Sequence, residues 1–473
     1  MNSKRRWIDG TTLEERVMGQ RPNGTDRGKL IRAWLGLSLL TFGLPACSLL
    51  DQTGHYFQAL FGQAEPDYEA LEKDRAAQGA SDLARPTESL EPVWTGFRGP
   101  NGAGISSESI DTTWPDGGLP LLWKQPCGGG YGSFAVAGGL AVALEQRRAR
   151  EVVVAYDLET GIEVWTHGYE ALYESGMGDG PRSTPTWFDG RLITVGATGE
   201  VRCLDASDGT LRWRANVIAD DSSAEVLDYG LSASPLVVGD LVIVLSGAPG
   251  SSRAVRALLL EDGTPVWWTV QEPAAYATPV LFSRNGEPEL LVHTASRLVA
   301  LEPRSGKLIW EHPWEVFQGL TCSQPTPIAP NRVLVSSGYG VGSELIEIGD
   351  DGAVRSIWKS LQLKSKFNSP VVSDGAIFGL DEGILTCLDL ATGRRLWKEG
   401  RFGYGQILLA DDHLIVLSEE GKLILLEASR NECVVLARFP AIEGMTWNVP
   451  ALAHGRLLVR NAAQMACFDV TPK

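Results

Sequence analysis

The stretch Ala155-Tyr-Asp-Leu-Glu-Thr-Gly161-Ile-Glu-Val-Trp165 returns as Cys203-Leu-Asp-Ala-Ser-Asp-Gly209-Thr-Leu-Arg-Trp213. Its closing pair, Gly followed four residues later by Trp, recurs at Gly263 and Trp267, Gly306 and Trp310, and Gly393 and Trp397. The phrase predicts two strands around a tight turn. An apolar run ends at Asp or Glu, Gly supplies the positive φ of the turn, and a short second strand carries a large ring to a buried seam. Two copies depart from it: Gly352 reaches Trp358 only after six residues, and the copy over 429–438 has no Trp.

Upstream of each phrase stands a small or polar pair before Pro, followed by an apolar strand, a turn and a second strand. The copies are Ser183-Thr-Pro185, Ala233-Ser-Pro235, Ala277-Thr-Pro279, Ser323-Gln-Pro325, Asn368-Ser-Pro370 and Asn448-Val-Pro450, with Gly132-Ser-Phe134 and Gly405-Gln-Ile407 lacking the Pro. Each unit therefore reads as four strands, and the fold class is all-β, an eight-bladed β-propeller. The eighth unit ends at the chain terminus after its third strand. Leu119-Pro-Leu-Leu-Trp123-Lys124, ahead of the first unit, is an unclaimed fourth strand that would close the ring and remove an open edge. The repeats fill 119–470, about 44 residues per blade, within the range of propeller repeats. Seven of the 15 Trp (Trp123, Trp165, Trp213, Trp267, Trp310, Trp358 and Trp397) then mark fourth strands, so they are architecture.

A net charge of −16 excludes nucleic acid as an expected partner, because phosphate binding needs clustered Lys and Arg. The basic residues that do cluster lie at the N-terminus, where residues 1–32 hold eight against four acidic ones and the uncharged run Ala33–Leu50 follows. This is the layout of an export signal, and Leu44-Pro45-Ala46-Cys47 resembles a lipobox with Cys47 as the lipidated residue. An uncleaved anchor or a plain cleaved signal is the other reading. The expected organisation is a signal over 1–46, a flexible tether over 47–93 with a short helix allowed near Glu69–Gln78, and the propeller over 94–473.

The phrases ending at Trp213 and Trp397 resemble the repeat of the PQQ-like (quinoprotein-like) β-propellers, a family that includes quinoprotein dehydrogenases and BamB-like exported lipoproteins. Trp94-Thr-Gly-Phe-Arg98-Gly-Pro100-Asn-Gly102, with Gly180-Pro-Arg182, is similar to an exported bacterial subgroup of that family. The resemblance implies the fold, an envelope location facing the periplasm, the outer membrane favoured, and protein partners there.

It does not imply catalysis. Quinoproteins of this family cover their cofactor with two adjacent cysteines, and the seven here (Cys47, Cys127, Cys203, Cys322, Cys387, Cys433 and Cys467) include no adjacent pair. No cofactor and no metal are therefore expected: the six His are scattered singly, and paired carboxylates such as Glu419-Glu420 fall in turns. Cys203, Cys387 and Cys467 share one third-strand position and read as small apolar fillers. The roles of Cys127, Cys322 and Cys433 stay open.

What remains is the mouth of the central channel. First strands line it, so the residues just before each Pro converge there: Tyr131, Arg182, Tyr276, Phe367, Tyr404 and Trp447, with Asn368, Gln406 and Asn448 beside them. Rings and polar groups in one place either form an amphipathic cup for a small molecule, sugar or peptide, or plug the channel and cap strands. The expected function is a non-catalytic, membrane-tethered scaffold that binds other envelope proteins, with the loops 169–180 and 219–228 as contact candidates. The alternative is a quinoprotein-like enzyme or small-ligand binder that uses the funnel.

Overall fold

The computed structural model describes residues 64–78, 91–221, 224–247 and 253–473. The signal over 1–46 and Cys47 lie outside them. Eight antiparallel four-stranded arrays form the ring that the repeat predicts. The sixth blade, Val371–Ser373, Ala376–Asp381, Ile384–Asp389 and Arg395–Arg401, shows the common order, each strand pairing with the next in sequence. The eighth takes its fourth strand from the other end of the repeat region. Leu121–Pro126 pairs with Gln464–Asp469, setting Trp123 opposite Cys467. That pairing joins the two ends of the repeat by backbone hydrogen bonds.

Five of the seven fourth-strand Trp lie on the turn Gly of the following blade. Gly209 has φ 74, and a Cβ there would stand 2.4 Å from the ring of Trp165, so the turn glycine serves both conformation and contact. Trp123 meets Gly161 in the same way, Trp213 Gly263, Trp267 Gly306 and Trp358 Gly393. The indole N–H then donates to a backbone carbonyl of that neighbour, as Trp213 does to Leu260 at 2.8 Å and Trp397 to Ser429 at 2.9 Å. Burying an indole with its one donor satisfied is what makes the seam favourable. The residue opposite the ring is small in six of the seven, Cys203, Cys387 and Cys467 facing Trp213, Trp397 and Trp123 and Ala facing Trp165, Trp267 and Trp310, whereas Leu345 faces Trp358.

The two irregular copies have physical causes. No ring atom of Trp310 would meet a Cβ on Gly352, and the Trp310 N–H donates to the Glu289 carboxylate at 2.6 Å instead. In the seventh blade Ala437 stands in the Trp position, and Trp114, from outside the repeat, joins the same core edge-on to Phe439 at 5.8 Å.

First strands of neighbouring blades touch one another, so they form the inner wall. Across that wall, away from the mouth, runs the segment Trp94–Ser106. Trp94 is fully buried and bridges Val136 of the first blade, and the carbonyl of Thr95 accepts the N–H of Trp187 in the second. Ile105–Ser106 adds a parallel fifth strand to the inner edge of the seventh blade, which the four-stranded expectation did not include. Between them the Arg98 guanidinium donates to the carbonyls of Ser369 at 3.0 Å, Pro370 at 3.1 Å and Ala103 at 3.0 Å. It has no carboxylate beside it, and burial pulls its pKa down to about 10. The segment thus ties blades one, two, six and seven across the channel floor.

Within the expected tether, Tyr68–Gln78 is an ordered helix docked on the propeller. Asp67 caps it through Oδ1, accepting from the N–H groups of Glu69 and Ala70. Leu71 is buried, and Arg75 donates to Glu163 at 2.7 Å and to the carbonyl of Pro126 at 2.9 Å, bridging the first and eighth blades where the ring closes. A flexible tether is therefore corrected over this stretch: long-range contacts, invisible in the local composition, hold it.

Candidate functional site: the channel mouth

The residues before each Pro divide by direction. The third residue before it is partly exposed in seven blades, at Tyr131, Arg182, Ser232, Tyr276, Cys322, Phe367 and Trp447, whereas the next two point into the wall and are buried. Tyr404 is the buried exception at the outer position.

The buried pair stitches blades together. The N–H of Ser133 donates to Thr184 Oγ1, that of Thr184 to Ser234 Oγ, that of Ser234 to Thr278 Oγ1 and that of Gln324 to Ser369 Oγ, each at 2.9 Å. In four blades a hydroxyl thus satisfies a backbone donor of the neighbouring blade, a demand every buried amide makes. Gln406 plays a related part, its amide donating at 2.8 Å to the carbonyls of Phe367 and Trp447 on either side. Asn368 bonds both backbone groups of Leu380 in its own blade. Asn448 donates to the carbonyls of Gly130 and Gly132. The three polar side chains expected beside the cup thus all bond to backbone, with the Asn448 amide oxygen left without a partner.

The rings form an arc. Trp447 lies 5.0 Å from Phe367 and 5.7 Å from Tyr131, and Phe367 lies 5.7 Å from Tyr404. Arg182 continues it, 5.6 Å over Tyr131 and 4.7 Å over Tyr173, with its guanidinium bonded to the carbonyls of Gly178 and Gly180. Tyr276 pairs with Tyr229 at 5.8 Å and makes no ring contact with the arc. Because these rings lean on one another, the arc presents a platform.

Two residues of the site carry no repeat signal. Glu419 fixes Trp447, accepting the indole N–H at 2.8 Å on Oε1 and the N–H of Tyr404 at 3.2 Å on Oε2. Lys366 sits among Tyr404 at 4.5 Å, Tyr339 at 5.1 Å and Phe367 at 5.4 Å, where burial lowers its pKa. Both were hidden because they act across blades.

The titratable groups do not form a nucleophile and base. Burial pushes the Cys322 thiol up to about 12 and the Tyr131 phenol up to about 12, so both are neutral near pH 7. The six described cysteines are free thiols. Among the described residues, no group of three or more His, Cys, Asp or Glu is placed to hold a metal. The amide of Asn368, both of whose atoms are already bonded to backbone, is a poor fit as a ligand for a quinone's cation.

The two long loops meet at this face. Tyr173 donates its hydroxyl to the carbonyl of Asp228 at 2.8 Å, and its ring also carries Arg182. Loop 169–180 and the Asp228 end of loop 219–228 are thereby continuous with the arc.

The sequence profile of the family described as outer membrane protein assembly factor BamB matches residues 149–399. The outer membrane protein assembly factor BamB of Yersinia pestis is 28% identical over 289 residues, which cover 53% of this chain and 67% of that protein. Among solved structures, BamB from Moraxella catarrhalis superposes with a TM-score of 0.55 at 17% identity, covering 74% of this chain and 99% of that one. Quinohemoprotein alcohol dehydrogenase from Comamonas testosteroni superposes with a TM-score of 0.57 at 13% identity, covering 85% and 84%. At such identities the two structures share the fold alone.

Proposed function

The chain belongs to the family described as outer membrane protein assembly factor BamB, and from that premise we propose that it is a non-catalytic scaffold of the bacterial envelope. It works through protein partners engaged at its channel mouth, in outer-membrane protein assembly or a similar task. Tethering through a lipidated Cys47 at the outer membrane, facing the periplasm, completes the reading.

One observation carries it. Arg182 joins the aromatic arc to the two longest loops through Tyr173, so rings, guanidinium and loops form one contiguous face. Aromatic rings and Arg at such a surface are what protein recognition favours.

Affinity purification of the tagged chain from detergent-extracted envelope tests it. Envelope proteins should be recovered in stoichiometric amount, and their recovery should fall for Arg182→Ala. The quinoprotein-like alternative shares the fold of the Comamonas enzyme, and reconstitution with PQQ and calcium followed by a dye-linked alcohol oxidation assay addresses it. Turnover in that assay would overturn the scaffold reading.

A further inference from the structure

The outer belt of the ring carries eight fourth strands; the helix Tyr68–Gln78 bonds to the backbone of two of them at Pro126 and Glu163, and each of the others ends its sheet at an edge that another strand could join. Seven of the eight hold at least one charged residue, such as Lys124 in Leu121–Pro126, Arg212 and Arg214 in Leu211–Asn216, or Glu311 in Leu308–Pro313. Charge on an edge strand is the usual guard against pairing. The third blade departs: Pro265-Val-Trp-Trp-Thr269 has none.

Its outward face is also the most apolar. Trp267 turns inward to its seam, while Val266 and Trp268 alternate outward at 43% and 52% exposure. No other Trp of the described residues is so exposed. Arg253 lies over the Trp268 ring at 4.5 Å, so this apolar shelf carries one cation beside it. On the inner side Trp267, Trp268 and Thr269 pair in register with Ala257, Arg256 and Val255, and Val266 is the bulged residue before them, so the regular part of the outer edge runs over Trp267–Thr269.

We propose that Val266–Thr269 is a docking edge that takes an uncharged extended segment of a partner protein as an added β-strand, with an apolar or aromatic residue at every second position lying over Val266 and Trp268. Backbone pairing along the edge would give affinity, and the alternating side chains would select the segment. A second copy of this chain is the wrong occupant. Edge-to-edge pairing of two rigid rings through a strand of roughly 17 Å would bury far less than the ~1,200 Å² that a stable interface needs. A flexible segment can pair with the edge and also wrap the shelf. The inference rests on the scaffold reading only in supposing a protein partner, and it concerns a surface outside the channel mouth.

The test uses the purified chain alone, so its outcome is separate from any recovery of envelope partners. A labelled eight-residue peptide of alternating Thr and Val or Tyr is titrated by fluorescence anisotropy. Saturable binding is expected, weakened at least tenfold by Trp268→Lys, preserved by Trp268→Tyr, and unaffected by Leu308→Lys on the equivalent strand of the fourth blade. Methylating alternate backbone nitrogens of the peptide should abolish it. Equal weakening by Leu308→Lys, undiminished binding to Trp268→Lys, or retention of the methylated peptide would each overturn the proposal. A stable dimer of the unliganded chain that Trp268→Lys dissolves would overturn the choice of occupant.

Discussion

Trp165 of the first blade rests on Gly209 of the second so closely that a methyl group on Gly209 would stand 2.4 Å from the ring. Gly352, at the corresponding turn, has only the carbonyl of Ile309, 3.8 Å from such a methyl group. Both have positive φ, 74 and 79. The pair therefore separates the conformational cost of a side chain from the cost of losing the seam.

Gly209→Ala is expected to lose about 2–4 kcal/mol of stability, combining left-handed strain with overpacking. Gly352→Ala should lose only the strain, about 1 kcal/mol. Urea denaturation monitored by tryptophan fluorescence measures both. Equal losses would mean that the ring contact contributes little.

Arg98 gives a second prediction. Arg98→Ala strands the carbonyls of Ser369, Pro370 and Ala103 without a donor, and a loss of about 3 kcal/mol or more is expected. Arg98→Lys should recover only part of it, because a single ammonium cannot span the carbonyls that the planar fork reaches. Hydrogen exchange should show the loss concentrated in the inner strands of blades one, two, six and seven. Uniform destabilisation around the ring would contradict its role as a floor tie.

Glu151 predicts a pH dependence. It is buried between Tyr169, whose hydroxyl donates to it at 2.6 Å, and the N–H of Ala197 at 2.9 Å, and burial raises its pKa above 4.5. The folded state then holds this proton more tightly than the unfolded chain does. Its contribution is complete below about pH 4.5 and is lost as pH rises through the raised pKa. Relative to Glu151→Gln, which cannot ionise, the wild-type protein should lose stability over that window and run parallel above it. Stability curves for the two proteins between pH 4 and 8 check the sign. A difference that grows in favour of wild type as pH rises would contradict it.

The blade count and ring closure were legible because each rests on a local phrase repeated many times. A Trp seam leaves a Gly, a turn acid and, opposite all but Trp358, a small residue, all within a short window. The direction of the residues before Pro was not legible. Asn368, Gln406 and Asn448 read as lining the mouth, but the twist at the strand start turns them into the wall, where each finds backbone partners. Glu419 and Lys366 were equally hidden: one reads as a turn carboxylate and the other as a solvated cation, until neighbouring blades bring Trp447 and Tyr404 against them. Arg98 shows the limit most plainly. Its sequence neighbours say Gly and Pro, while its partners lie some 270 residues away, at separations of 271 and 272.

The account's central claim is that the mouth face engages a protein. A photocrosslinking amino acid placed at Trp447, at Tyr173, and at Glu287, the first residue of the fourth blade's second strand, tests this most directly. On irradiation in cells, adducts with the same envelope protein are expected from positions 447 and 173, and none from position 287. Adducts from position 287 alone, or equal yields from all three, would contradict it.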